Sequence, residues 1–331
     1  MKAFVLKGFD RPAEFADVPA PEPGPGEVLV RVQASSVNPV DALVRAGFFR
    51  AVQEYRFPAV FGRDVAGVVA AVGAGVTRYV AGDRVFGFVK RDHIGDGTFA
   101  EFVAVPADLF IAPIPEAVTT AAAGVLGLAG VTALECVEAA GAAPGRTVVV
   151  TGAAGGVGSF AVQLAVALGA TVIAAARAGE QADHVRGLGA AHVVTRGPDG
   201  VEGLVTQLRA LAPDGVDGLV DLIKHVDSTV MGVGEDQAHR AFARLCTGAV
   251  RPGGTAVSVT NGGVAGLTGE VGFVNLHSTP APATLTRLAA LVESGAVRAP
   301  IQQTFGFDDL PAAFDRLAAG NVLGKLAVVA G

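Results

Sequence analysis

The sequence predicts an α/β fold, with a doubly wound parallel sheet in the middle of the chain and a β-rich region before it. Three observations predict it. From Thr147 onward, short β-branched runs alternate with helix-length segments, the rhythm of strands joined by right-handed crossovers. Before about Pro115, β-branched runs are separated by turn residues instead. The 331 residues suffice for two domains with a real core, at roughly 150 residues per domain.

In the β-rich region, residues 28–32, 65–72, 84–89 and 99–105 read as strands. The turn formers Pro23-Gly24-Pro25-Gly26, Gly73-Ala74-Gly75, Gly82-Asp83 and Gly95-Asp96-Gly97 bound them. In the middle region, residues 147–151, 171–175, 191–194, 218–222 and 255–259 read as strands. Residues 156–168, 181–188, 202–211 and 237–245 read as the helices between them. After Leu276 come two helices, 283–294 and 310–319, and a closing strand at 325–329.

Composition removes several classes of function. Hydrophobic residues make up 51% and charged residues 17%, which excludes a disordered chain. The net charge is −6 and the 25 Lys and Arg are scattered, so no concentrated basic face exists for nucleic acid. Cys136 and Cys246 cannot build a disulfide framework or a four-thiolate zinc site. The positive mean hydropathy raises the question of a membrane, because residues 117–134 and 147–176 carry no charge. Threonines and glycines interrupt the first stretch, and the second divides into strand, glycine cluster, helix and strand. A buried parallel strand with its crossover helix explains that pattern without lipid. Residues 1–10 lack the apolar core of a signal peptide, so a soluble, cytoplasmic protein is expected.

The strongest chemical signal is Val148-Val149-Val150-Thr151-Gly152-Ala153-Ala154-Gly155-Gly156-Val157-Gly158. A buried strand runs into a glycine cluster and then into an apolar helix. Gly155 lets the backbone approach a pyrophosphate, and Gly158 lets the helix pack against the strand. The helix start offers free N–H groups and partial positive charge to the phosphates. Ala153 takes the place of the first glycine of the usual fingerprint; the alternative is a tight strand–helix turn without a ligand. A site for NAD has an acid about 20 residues past the first glycine, on the ribose 2′-OH. Here the second strand ends in Ala174-Ala175-Ala176-Arg177, with no acid before Glu180. A guanidinium clamps a 2′-phosphate, so the predicted cofactor is NADPH with Arg177 as partner; the alternative for Arg177 is a solvated surface position.

With these residues in hand, the chain resembles the medium-chain dehydrogenase/reductase superfamily, and most of all its zinc-free quinone oxidoreductase branch. The landmarks are Ser36-Val37-Asn38-Pro39-Val40-Asp41, Gly62-Arg63-Asp64-Val65-Ala66-Gly67, Gly82-Asp83-Arg84-Val85 and Gly97-Thr98-Phe99-Ala100-Glu101. The turn at 153–158, Arg251-Pro252-Gly253-Gly254 and Gly324-Lys325 complete them. The resemblance implies a β-rich GroES-like catalytic domain built from both chain ends, residues 1–120 and 276–331, with a Rossmann domain at 121–275. It implies a homodimer and a cofactor site drawn from Thr151, Ala154, Gly155, Gly156, Val157, Arg177, Leu222, Val259 and Lys325. Zinc-dependent relatives place a cysteine ligand where Asn38 stands and a histidine ligand where Arg63 stands. Arg has no lone pair to give and Asn is a poor zinc ligand, so no metal is expected.

Without a metal to polarise an alcohol, the accessible acceptors are quinones and α,β-unsaturated carbonyls. Each takes hydride at carbon and gathers negative charge on an oxygen, which calls for a donor aimed at that oxygen. The resemblance places Asn38 and Asp41 near the nicotinamide. Asn38 is the expected orienting donor; Asp41 either assists or holds its loop by backbone bonds. Related reductases offer a tyrosine after this segment where Phe48 and Phe49 stand here; Tyr55 or water is left as proton donor, and Tyr55 as packing is the alternative. Residues 223–236 lengthen the usual turn after a strand's carboxyl end and carry Lys224, His225, Asp227 and Ser228. They read either as a specificity loop over the substrate or as a surface insertion. The expected activity is NADPH-dependent reduction of a quinone or enone. Two alternatives stand beside it: a tailoring reductase of a polyketide-like molecule, and a non-catalytic NADPH-binding sensor.

Overall fold

The computed structural model describes the chain apart from residues 196, 198, 224–234 and 261–268. The elements begin with β1 (Lys2–Leu6), β2 (Glu14–Asp17), β3 (Glu27–Val37), α1 (Pro39–Arg45), β4 (Glu54–Val60) and β5 (Asp64–Val72). They continue with β6 (Arg84–Phe88), β7 (His93–Asp96), β8 (Phe102–Pro106), β9 (Ile111–Pro113), α2 (Thr120–Ala123) and α3 (Gly127–Ala139). The alternating part runs β10 (Thr147–Val150), α4 (Gly156–Ala167), β11 (Thr171–Ala175), α5 (Glu180–Gly187), β12 (His192–Val194) and α6 (Gly200–Leu211). It goes on through β13 (Val216–Asp221), α7 (Glu235–Ala249), β14 (Val250–Ser258) and β15 (Gly272–Asn275). The chain closes with α8 (Pro282–Glu293), β16 (Ile301–Gly306), α9 (Leu310–Ala318) and β17 (Lys325–Val329).

Two compact units result. Unit 1 comprises Met1–Val131, Thr279–Gly295 and Ala299–Gly331; unit 2 comprises Thr132–Ser278 and Ala296–Arg298. The boundary falls inside α3 rather than at residue 120, because α2 packs on β3 and β5 and carries the start of α3 with it. Unit 2 holds a six-stranded sheet in the order β12-β11-β10-β13-β14-β15, parallel throughout. Val148, Val149 and Val150 are fully buried, as a strand covered on both faces requires. Its core joins Ile173, Leu204, Leu219, Phe242 and Leu245.

Unit 1 holds a sheet ordered β2-β1-β4-β7 and a larger one ordered β16-β17-β3-β5-β6-β9, with β8 also paired to β3. β3 runs five residues past the expected strand end at Val32. Val28, Val30 and Val32 point inward with the period of two, but from Ala34 to Val37 every residue is buried, Ser35 and Ser36 included. The reason is β17, which lies antiparallel along that half, pairing Ser36 with Ala327 and Val37 with Leu326. One core gathers Phe4, Leu6, Phe61, Phe99, Phe314 and Leu326 from both ends of the chain. The uncharged stretch 117–134 forms α2 and the start of α3, with Val125, Leu126 and Val131 fully buried. Among the described residues, no helix is long and apolar enough to cross a membrane.

Candidate functional site

In unit 2, β10 lies between β11 and β13, so the chain leaves it toward one side through α4 and fills the other side later. That is a topological switch point, and the turn Thr151–Gly155 emerges there at the strand's carboxyl end. Gly152 has φ +61°, a left-handed turn conformation that suits glycine, so the bend is made one residue before Ala153. A Cβ on Gly158 would lie 2.2 Å from the Gly152 carbonyl oxygen and 2.6 Å from Ala153 Cα, so only hydrogen fits where the helix meets the turn. A Cβ on Gly155 would meet only the Gly152 oxygen, at 3.4 Å. Gly155 is also the N-cap of α4, and no side chain caps the first-turn amides. Gly155, Gly156 and Val157 are half-buried, which leaves that amide edge open to a ligand.

The neighbouring positions are set by structure. Thr151 Oγ1 donates to Asp221 Oδ1 at 2.6 Å and accepts from the Leu222 N–H at 3.1 Å, tying the ends of β10 and β13 together. Ala154 is buried and its carbonyl accepts from Ser159 Oγ at 3.2 Å. Val259 follows β14 directly and is half-buried. Arg177 stands two residues past β11, exposed, with its backbone N–H on Gln181 Oε1 at 3.1 Å. Lys224, His225, Asp227 and Ser228 lie outside the described residues.

Unit 1 assembles a different cluster, entirely from its own elements. Pro39 opens α1, Asn38 is its N-cap, and Asp41 Oδ2 accepts from the Asn38 backbone N–H at 2.8 Å. The Asn38 amide is held on both sides. Its Nδ2 donates to Asp64 Oδ2 at 2.9 Å and to Asp41 Oδ2 at 3.2 Å, and its Oδ1 accepts from Lys325 Nζ at 2.5 Å. The ammonium can only donate, so this orientation of the amide is forced. Asp64 is the hub: Ser36 Oγ donates to its Oδ2, the Leu128 N–H at the start of α3 donates to Oδ1 at 2.6 Å, and Lys325 Nζ stands 3.6 Å away. Asp41 and Asp64 are fully buried, Asn38 is 4% exposed and Lys325 3%.

These contacts show where each expected site residue sits. β17 carries Lys325 into the interior of unit 1, where its burial is tolerable only against Asp64 and Asn38. The Asn38 amide hydrogens donate to Asp41, Asp64 and the Ser36 carbonyl, all within unit 1. The Tyr55 hydroxyl donates to the Val44 carbonyl at 3.1 Å, and its ring packs on Phe9 and Phe57, which is the packing role. Burial raises its phenol above the usual value. Asp41 does hold its loop, yet only one of its oxygens does so. Burial first, then the Asp64 charge, push its pKa from 3.8 up to about 7, against the pull of Arg63. Burial pushes the Lys325 ammonium down, against the pull of Asp64 and Asp41. Asp64 and Ser36 stand in the sequence landmarks without a site role of their own; the signal for Asp64 is the charged pair Arg63-Asp64 set inside the apolar run from Val60 to Val69.

Residues 24–116 match the family model of the alcohol dehydrogenase GroES-like domain, and residues 188–328 that of the zinc-binding dehydrogenases. The chain is 32% identical to the NADPH-dependent alkenal/one oxidoreductase, chloroplastic, of Arabidopsis thaliana, over 99% of this chain and 79% of that protein. It is 37% identical to the chloroplast envelope quinone oxidoreductase homolog of the same plant, over 55% of this chain and 56% of the relative. The chain thus spans a little over half the length of the first curated relatives it matches. The quinone oxidoreductase structure from Coxiella burnetii superposes with a TM-score of 0.80 at 26% identity, over 99% of each chain. The zinc named by the second model does not suit the residues present. Asn38 Oδ1 already faces an ammonium, Arg63 offers no lone pair, and no metal-sized group of His, Cys, Asp and Glu exists among the described residues.

Proposed function

The chain belongs to the medium-chain dehydrogenase/reductase family, in its quinone-oxidoreductase-like branch, and we propose that it is an NADPH-dependent reductase of quinones or α,β-unsaturated carbonyls. One observation carries the reading: an uncapped, glycine-lined helix start at Gly156, at the switch point of a dinucleotide-type sheet, followed after the next strand by Arg177 rather than an acid. The alkenal/one and quinone oxidoreductases among its relatives support the acceptor class. When bound, NADPH supplies the hydride. The chain's share is positional. The amides of Gly155, Gly156 and Val157 donate to the pyrophosphate, aided by the helix dipole. Arg177 pairs with the 2′-phosphate. Thr151, Ala154, Leu222 and Val259 stand at the carboxyl ends of β10, β13 and β14, where such sheets bind ligands. The family likeness also supports a small-molecule substrate and a homodimer, the latter read directly by light scattering.

The test is NADPH oxidation with a panel of quinones, enones and aldehydes. Turnover with the first two classes is expected, and none with any acceptor would end the reading. Arg177→Ala weakens NADPH by about 10- to 100-fold, the loss of a charge-assisted contact, while NADH is little affected. Equal losses for the two coenzymes would remove Arg177 from the assignment.

A further inference from the structure

The first turn of α4 carries a fully buried hydroxyl that the phosphate contacts do not use, Ser159. Its backbone N–H takes the helical partner, the Gly155 carbonyl at 2.8 Å. Its side chain reaches past the helix instead. Ser159 Oγ stands 3.2 Å from the Ala154 carbonyl oxygen, in the turn ahead of the N-cap, and 2.9 Å from Nε2 of the half-buried His184 on α5. Gly158 makes the first contact possible, because only hydrogen fits where α4 closes on the turn. Ala154 is buried, and no backbone N–H among the described residues donates to its oxygen. A serine hydroxyl has one proton to give, and a carbonyl can only accept. Both contacts are therefore made at once in a single arrangement: His184 Nε2–H donates to Ser159 Oγ, and Ser159 Oγ–H donates to the Ala154 oxygen. With the other tautomer the serine proton turns to Nε2, and a buried carbonyl is left unpaired, which is costly. Burial first, then the Arg298 charge, push the His184 pKa below its usual value. The imidazole is thus neutral at neutral pH, and the bond to Ser159 selects its tautomer.

We propose that His184 is a positioning residue for the dinucleotide: through Ser159 it fixes the peptide unit that leads into the open start of α4. This rests on the reading of the α4 start as the pyrophosphate site. The Ala154 oxygen lies in the same peptide plane as the backbone nitrogen of the N-cap, Gly155. Holding that oxygen from behind fixes how the chain enters the helix, and so the direction in which Gly156 and Val157 present their amides. The turn has need of such a hold. Gly152, Gly155, Gly156 and Gly158 supply no side chains to keep it in shape, and glycine has the most freedom to lose on ordering. Linked hydrogen bonds also polarise one another, and a turn already set loses little freedom when the phosphates arrive. All of these groups lie in unit 2. His184 sits on the helix that follows Arg177, yet its contact reaches the turn on the pyrophosphate side. Its effect is therefore shared by NADH and NADPH, unlike that of Arg177.

The test uses the full chain and begins without cofactor. Nitrogen NMR of protein carrying isotope-labelled histidine should show the His184 ring protonated at Nε2, its signals assigned by their loss in His184→Phe. The Nδ1–H tautomer would overturn the proposal. Affinities for NADPH and NADH, read by nicotinamide fluorescence well below the melting temperature, give the second readout. Ser159→Ala and His184→Phe should each weaken both coenzymes by about 3- to 10-fold, the loss of one neutral hydrogen bond. His184→Gln, whose side-chain amide can donate from the place of the imidazole Nε2, should recover most of that loss. Ser159→Ala combined with His184→Phe should be no weaker than Ser159→Ala alone, since the two act as one chain. In turnover, KM for the coenzyme should rise while kcat changes little. Losses confined to NADPH would assign His184 to Arg177 and overturn the proposal. So would additive losses, or a lowered melting temperature with both affinities intact, which is packing alone. Wild-type protein that binds neither coenzyme would instead end the pyrophosphate reading itself, and the positioning role with it.

Discussion

Asp41 is a carboxylate with one oxygen committed and the other not. Its Oδ2 caps α1 through the Asn38 N–H, while Oδ1 has no partner. Its pKa is raised from 3.8 to about 7, chiefly by burial. Between roughly those pH values the folded chain keeps a proton that the unfolded chain has released, so stability from this residue falls as pH rises. Its cost is complete above about pH 7. Asp41→Asn keeps an acceptor for the cap and removes the titration. The melting temperature of the variant relative to wild type should therefore climb from pH 4 to pH 8; a constant difference would show that Asp41 is charged throughout. The roles of Asn38 and Lys325 were not legible beforehand for the same reason that Asp41's was only half so. Which partner a buried polar group finds depends on strands 287 residues apart in sequence, as Lys325 and Asn38 are. Motif spacing marks such residues as important without saying what they touch.

At the scale of elements, the nucleotide-type turn was the most legible part. Strand, glycines and helix are contiguous, and each residue's requirement is local: a left-handed bend at Gly152, a close approach at Gly158. The two glycines following it separate packing from binding. Gly158→Ala sets a Cβ against backbone atoms at 2.2 and 2.6 Å, so it should lower the melting temperature and NADPH affinity together. Gly155→Ala meets one atom at 3.4 Å and has φ −78°, which alanine adopts freely. It should leave the melting temperature nearly unchanged and still weaken NADPH at least tenfold, since in the proposed site the new methyl would crowd the pyrophosphate. A Gly155→Ala protein with undiminished NADPH affinity would place the phosphates elsewhere. Strands of unit 1 were harder to read. β2, β7 and β9 run only three or four residues, and the longer β4 carries exposed Glu54, Arg56, Phe57 and Pro58 that hide any period of two. The helices α2 and α3 read as a hydrophobic span because they are buried on most sides, so no polar face marked their period.

At the scale of the molecule, unit 1 is closed by the chain's two ends. β17 lies between β16 and β3, and α9 brings Phe314 onto Phe4, Phe61 and Phe99, with ring centroids 6.4, 6.0 and 5.9 Å away. The cluster under those rings also contains Leu326 and Val328, neighbours in sequence of Lys325. The polar network around Asn38 and Asp64 is therefore roofed by apolar packing that joins residues about 300 positions apart, and the order of one depends on the other. Phe314→Ala should cost about 3–5 kcal/mol of stability, the usual loss for a buried phenylalanine, measured by urea unfolding. Because Phe314 belongs to unit 1 and the turn at Gly156 to unit 2, NADPH affinity below the melting range should stay within about twofold. A variant that lost NADPH affinity in proportion to stability would show that the two units fold as one cooperative body instead.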